Sequence, residues 1–178
     1  NGFRETANLE QIEVLRGPAS FLFGNVEPGG VINLVTKQTL ATPAAELATH
    51  FGSEGFVRPT LDVTGPINQS GTVRYRLNAV YERAEGFRDL CTATKRLCFA
   101  PVVAIDLGDR TDLILDFQYL NDQRPFDRGI PPVGDRIPVV PRDTITGEPT
   151  DFARVQNTGV SYQFEHRFSD RWKLRNGF

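Results

Sequence analysis

The sequence predicts an all-β protein whose larger part is an antiparallel sheet built to span a membrane as part of a transmembrane β-barrel. Three observations carry this. Strand-like segments alternate polar and apolar residues, the period-2 pattern of a half-buried strand. Their polar faces hold charges deep inside the strand, while the apolar faces end in aromatics, as in barrels that are apolar outside and polar inside. Short and long connections also alternate along the chain, the arrangement of a meander with tight turns at one end and long loops at the other. No run of about 18 apolar residues is present, so no transmembrane helix is expected. The mean hydropathy of -0.31 agrees with strands that hide their hydrophobicity in every second residue.

The elements follow in order. Residues 10–15 alternate Gln11 and Glu13 against Ile12 and Val14, which predicts a strand, and Gly17-Pro18 ends it. Pro28-Gly29-Gly30 is a turn signal, and the β-branched run 31–35 reads as a second strand. A linker at 38–45 contains Pro43 and is the candidate boundary between two parts, 1–40 and 45–178. Seven strand-like segments come after it: 46–52, 56–65, 72–82, 99–107, 112–120, 158–168 and 172–178. In the clearest, Val73, Tyr75, Leu77, Ala79 and Tyr81 share one face, with Arg74, Arg76, Asn78 and Glu82 on the other. Leu113, Leu115, Phe117 and Tyr119 oppose Asp116 and Gln118 in the same way. So do Val160, Tyr162, Phe164 and Phe168 against Ser161, Gln163, Glu165 and Arg167. Tight turns are expected at 66–71, 108–111 and 169–171, long loops at 86–98 and 121–157, and a short connection at 53–55 on the long-loop side.

Two stretches carry a resemblance to a known family. Arg16-Gly17-Pro18-Ala19-Ser20-Phe21-Leu22-Phe23-Gly24, then Pro28-Gly29-Gly30-Val31-Ile32-Asn33-Leu34-Val35-Thr36-Lys37, resembles the end of the plug domain of TonB-dependent outer-membrane receptors, especially those that import ferric siderophores. Phe23 stands where relatives usually have Tyr. Thr60-Leu61-Asp62-Val63-Thr64-Gly65-Pro66, Tyr75-Arg76-Leu77-Asn78 and the segment from Tyr119 to Pro131 are similar to barrel strands and an external loop of the same family. The resemblance implies that 1–40 is the C-terminal part of an N-terminal plug and 45–178 about the first seven strands of a barrel. Complete barrels of this type have about 22 strands around a plug. The chain, which has no Met, thus reads as a piece of a longer polypeptide.

What the resemblance implies about function is transport, not catalysis, in the outer membrane of a Gram-negative-type bacterium. External loops and the plug apex bind a ferric siderophore, and a TonB-type energy-coupling protein pulls on a plug segment preceding residue 1. No cofactor is held by the protein; ferric iron arrives inside its chelator. Phe23 aligns with the apex, where it either stacks on the ligand or packs between plug and wall. Asn25 and Glu27 line the same apex, though a turn also accounts for Asn25. Arg124 and Arg128 supply cations for an anionic complex, but Asp122, Asp127, Asp135, Asp143 and Asp151 nearly balance the arginines of that loop. Glu13 and Arg16 are the expected plug residues for locking against the barrel, facing inward charges such as Arg58, Asp62, Arg74 and Arg76, because buried charges must be paired. A transporter of cobalamin, copper complexes or glycans is an alternative, as is a receptor that signals to a transcription regulator.

The two cysteines, Cys91 and Cys98, are separated by six residues in an expected external loop. In an oxidising compartment such a pair reads as a disulfide, worth roughly 2–3 kcal/mol for so short a loop. A two-cysteine metal site and free thiols are the other readings. Other chemistries are excluded more firmly. Gly24 and Gly29 have P-loop spacing but Gly30-Val31 follows in place of Lys-Ser/Thr. Ser20 is not in a nucleophile elbow. His50 and His166 sit on different strands as ordinary barrel residues. The net charge of -2 argues against a nucleic-acid partner, and the resemblance implies outer-membrane lipid around the strands.

Overall fold

The computed structural model describes residues 4–17, 29–88 and 93–178, and every regular element in them is a strand. The first two strands, β1 (Leu9–Arg16) and β2 (Gly30–Thr36), form a separate antiparallel pair. Leu15 lies opposite Val31 and Arg16 opposite Gly30. Gly30 has a φ of 133° there, and a Cβ would stand 2.4 Å from the Leu15 carbonyl oxygen. Only glycine fits that approach. Gly30→Ala is expected to destabilise the intact protein by about 1–3 kcal/mol, the usual cost of a forced backbone conformation. A thermal unfolding midpoint equal to wild type would show that the two strands do not approach so closely.

The larger sheet is a seven-stranded meander, each strand antiparallel to the next. Its members are β3 (Ala44–Phe51), β4 (Val57–Pro66), β5 (Val73–Ala84), β6 (Thr94–Asp106), β7 (Thr111–Pro125), β8 (Phe152–Ser169) and β9 (Trp172–Gly177). Connections 67–72, 107–110 and 170–171 leave one end of the sheet; 52–56, 85–93 and 126–151 leave the other. Local chemistry closes the tight turns. Asn68 accepts from the Val73 N–H (3.0 Å) and donates to Thr72 Oγ1 (2.7 Å), while Ile67 N–H donates to Val73 O (2.7 Å). Asx side chains reproduce a backbone turn in this way.

Period-2 alternation sorts the side chains as the sequence predicts. Glu82, Arg96 and Asp122 lie directly opposite one another on β5, β6 and β7. Val80, Cys98 and Leu120 form the apolar cluster on that same face, with Ala7 packed against it. Tyr75, Val103, Leu115 and Tyr162 run in a row across the other face. That face stays open: Leu47, Phe51, Val160 and Trp172 are all more than 65% exposed. Such a continuous apolar surface suits hydrocarbon rather than water. The charged face meets the flanks of the β1–β2 pair through Glu5 and Lys37, and we refer to it as luminal.

Strand bounds depart from the sequence reading at the long-loop end. β6 begins at Thr94, not at 99; β7 runs to Pro125, not 120; β8 begins at Phe152, not 158. The loops shrink accordingly to 85–93 and 126–151. Among the added residues, Arg96, Asp122 and Arg124 turn to the interior, where they pair with one another. Cys98 is therefore not in a loop. It sits within β6, 2% exposed, as a free thiol in the luminal cluster.

Candidate functional site

Two groups of polar residues join the N-terminal strand pair and its flanks to the luminal face. The first centres on Glu5, whose side chain is 1% exposed. Its Oε1 accepts from Arg58 Nη2 at 2.6 Å and from the backbone N–H groups of Thr6 (2.8 Å) and Ala7 (3.1 Å). Arg58 Nη1 continues to Glu82 Oε2 at 2.8 Å, and Arg96 Nη1 donates to the same oxygen at 3.0 Å. Arg96 Nε reaches Asp122 Oδ1 at 3.0 Å and Arg124 Nε reaches Asp122 Oδ2 at 2.7 Å. Arg96 Nη1 also lies 3.8 Å from Glu5 Oε2. Three carboxylates thus alternate with three guanidiniums across four adjacent strands and onto the N-terminal segment. Such an arrangement offsets the desolvation of each charge, which an isolated buried ion would not survive.

The second group fastens the linker after β2. Arg76 grips Asp62 with both Nε (2.9 Å) and Nη2 (2.8 Å), a bidentate geometry that fixes both side chains. Lys37 Nζ shares Asp62 Oδ2 at 2.9 Å, and Arg76 Nη1 donates to the Gln38 carbonyl at 2.8 Å. Leu40 N–H donates to Thr64 Oγ1 at 3.0 Å, so the linker is tied to the wall at three successive points. Lys37 N–H in turn donates to Asn8 O at 2.9 Å, which connects this fastening to the segment carrying Glu5.

The inward wall charges read from alternation are the ones used here: Arg58 meets Glu5, Asp62 meets Lys37, and Arg76 meets the linker backbone. Arg74 instead pairs along the wall with Asp106 at 2.7 Å. Glu13, expected to lock against the wall, accepts from Asn33 Nδ2 and Gln11 Nε2, both at 2.7 Å, within the strand pair. Arg16 sits at the end of β1 opposite Gly30, and among the described residues no ion pair links it to the wall. Glu5 and Lys37 are the contacts that sequence reasoning missed. Nothing near Glu5 in sequence marks it; its partners lie on strands that start dozens of residues later.

At the long-loop end, Arg124 stands at the top of β7 and is engaged by Asp122. Arg128 lies in the 126–151 loop with its guanidinium 5.1 Å from the Phe126 ring centroid. The shorter 85–93 loop reaches this one through Arg88, which pairs with Asp127 at 2.6 Å and donates to the Thr144 carbonyl at 2.6 Å. Phe23, Asn25, Glu27 and Cys91 lie outside the described residues. Among the described residues no cluster of three or more His, Cys, Asp or Glu is disposed to hold a metal ion. His166 is occupied by Thr111, at 2.8 Å from its Nδ1, and by edge contact with Phe168.

Comparison with known proteins agrees with this geometry. Residues 1–31 match the family model described as the TonB-dependent Receptor Plug Domain. The chain is 35% identical over 173 residues to the metal-pseudopaline receptor CntO of Pseudomonas aeruginosa, covering 96% of this chain and 24% of that receptor. Among solved structures, the ferric-catecholate import receptor Fiu of Escherichia coli K12, in its closed form, superposes with a TM-score of 0.82 at 28% identity, over 98% of this chain and 26% of that one. The pyoverdine outer-membrane receptor FpvA of Pseudomonas aeruginosa PAO1 superposes with a TM-score of 0.85 at 24% identity, over 98% of this chain and 26% of that one, which speaks for the fold alone. The chain spans about a quarter of the length of such receptors. A plug-domain match over residues 1–31 ahead of a lipid-facing meander, joined by charges inside the lumen, is the arrangement of the TonB-dependent outer-membrane receptors that this chain resembles along nearly its whole length.

Proposed function

We propose that the receptor carries a ferric siderophore across the outer membrane. In this reading, residues 1–40 are the last part of the plug and 45–178 the first seven strands of the barrel. The plug apex and external loops hold the chelate. A TonB-type protein, energised from the inner membrane, then displaces the plug. The observation that carries the reading is how the plug is held. Among the described residues, Glu5, Lys37 and the linker backbone meet the wall through ion pairs and hydrogen bonds, with little apolar burial apart from Ala7. Polar contacts of this kind exchange for water at modest net cost when a segment is pulled away. A plug meant to stay would be seated on apolar surface. The similarity to a ferric-catecholate import receptor supports iron as cargo, bound within its chelator and not by protein side chains.

A second reading concerns the ligand. The higher identity is to a receptor named for metal-pseudopaline, which favours a metal chelate of another class. Titration of the intact receptor with a panel of ferric catecholates, ferric hydroxamates and metal-pseudopaline separates the two. Binding to none of them sinks the transport reading.

Phe23 provides a variant for that titration. Phe23→Ala is expected to weaken chelate binding by about tenfold or more while the barrel still assembles, since an aromatic anchor is removed and no wall strand is touched. Unchanged affinity would place Phe23 in the packing between plug and wall.

A further inference from the structure

We infer that Arg88 is a positioning residue that clamps the two external loops into one unit and so sets where Phe126 and Arg128 stand at the barrel mouth. The inference rests on the reading of those loops as part of the ligand-binding face.

Arg88 belongs to the 85–93 loop, yet its side chain is only 19% exposed. It holds both arms of the 126–151 loop at once. On the outgoing arm its Nε lies 2.6 Å from Asp127 Oδ2; on the returning arm its Nη1 donates to the Thr144 carbonyl at 2.6 Å. The two arms are also tied to each other. Thr146 Oγ1 donates to the Gly129 carbonyl at 2.7 Å, and within the outgoing arm Asp127 Oδ1 accepts from Gly129 N–H at 2.8 Å. Beside Arg88, Phe87 receives the Arg142 guanidinium 4.6 Å from its ring centroid. The contacts therefore converge on one place where three stretches of irregular chain meet.

Irregular chain has no ladder of backbone hydrogen bonds to hold its shape, so each such contact decides how many arrangements the loop visits. A planar guanidinium can serve two acceptors in different directions with little further loss of freedom. A lysine ammonium offers no such fork. Phe126 and Arg128 flank Asp127 directly, so holding Asp127 holds them. Fixing a binding loop before the ligand arrives raises affinity by lowering the ordering cost on binding.

The test uses the full-length receptor in bilayer nanodiscs. Trypsin cleavage after Arg136, in the exposed middle of the long loop, reports how often the loop opens. Arg88→Ala is expected to speed that cleavage about tenfold, from the loss of the ion pair to Asp127 and the hydrogen bond to the Thr144 carbonyl. Arg88→Lys should recover only part of the protection. The exchange Arg88→Asp with Asp127→Arg should recover more, by restoring the pair. The same variants are titrated with a hexadentate tris-catecholate iron(III) complex, and affinity should follow protection. Equal cleavage of wild type and Arg88→Ala overturns the clamp. Faster cleavage with unchanged affinity also overturns it, since Arg88 would then be structural only. If the wild type binds no chelate at all, the transport reading fails, and the clamp is judged by cleavage alone.

Discussion

Replacing Arg96 by alanine is expected to destabilise the receptor by about 3–5 kcal/mol, the cost of breaking a buried ion network by removing one partner. The guanidinium stands between Glu82 and Asp122 on neighbouring strands and close to Glu5 of the plug. Without it, three carboxylates face one another with only Arg58 and Arg124 to balance them. Asp122 is 1% exposed, so bulk solvent does not replace the lost partner. The measurement is the temperature at which the purified receptor loses its folded mobility in detergent gels. Arg96→Met with Glu82→Leu and Asp122→Leu should recover part of the loss, because it also removes the two carboxylates that Arg96 bridges, and apolar replacement of a buried ion group is often tolerated. A single Arg96→Ala variant as stable as wild type would mean that solvent reaches the network and screens it.

The same residues show what the sequence made legible and what it did not. Alternation in β5 and β7 was plain because outward apolar residues sit between inward polar ones for ten residues or more. The rhythm of short and long connections gave the meander its direction, and the glycine-rich turn before β2 gave the plug. The ends of β6, β7 and β8 were obscured by their own function. Lys95 and Arg96 are consecutive charges, and Asn121-Asp122-Gln123-Arg124 is polar throughout, so neither reads as a strand. Yet Leu97 and Phe99 point outward on one side of Cys98, a faint period-2 signal that extends β6 backward. Glu5 had no signal at all. It precedes the first strand, and its role exists only once Arg58 and Arg96 are brought to it by the sheet. Contacts between distant segments are set by topology, and no local pattern encodes them.

The lipid-facing assignment makes the other large prediction, because it assigns opposite fates to neighbouring residues. Val160, near the middle of β8 and directly opposite Phe117, is on the outward apolar face and 68% exposed. Ser161 is the next residue, at almost the same depth, but faces the lumen opposite Asp116. Val160→Arg should cost about 2–4 kcal/mol, the penalty for an arginine near the bilayer midplane of an outer-membrane barrel. Ser161→Arg should cost little, since its guanidinium enters a polar lumen beside a carboxylate. The comparison is made by equilibrium unfolding of the full-length receptor in phospholipid bilayers, with the folded fraction read by tryptophan fluorescence. A soluble sandwich would show a different pattern, with an arginine at an exposed Val160 nearly neutral and one at Ser161 the more damaging. Equal tolerance at both positions would remove the bilayer from the outer face, and a greater loss at Ser161 would reverse the two faces of the sheet.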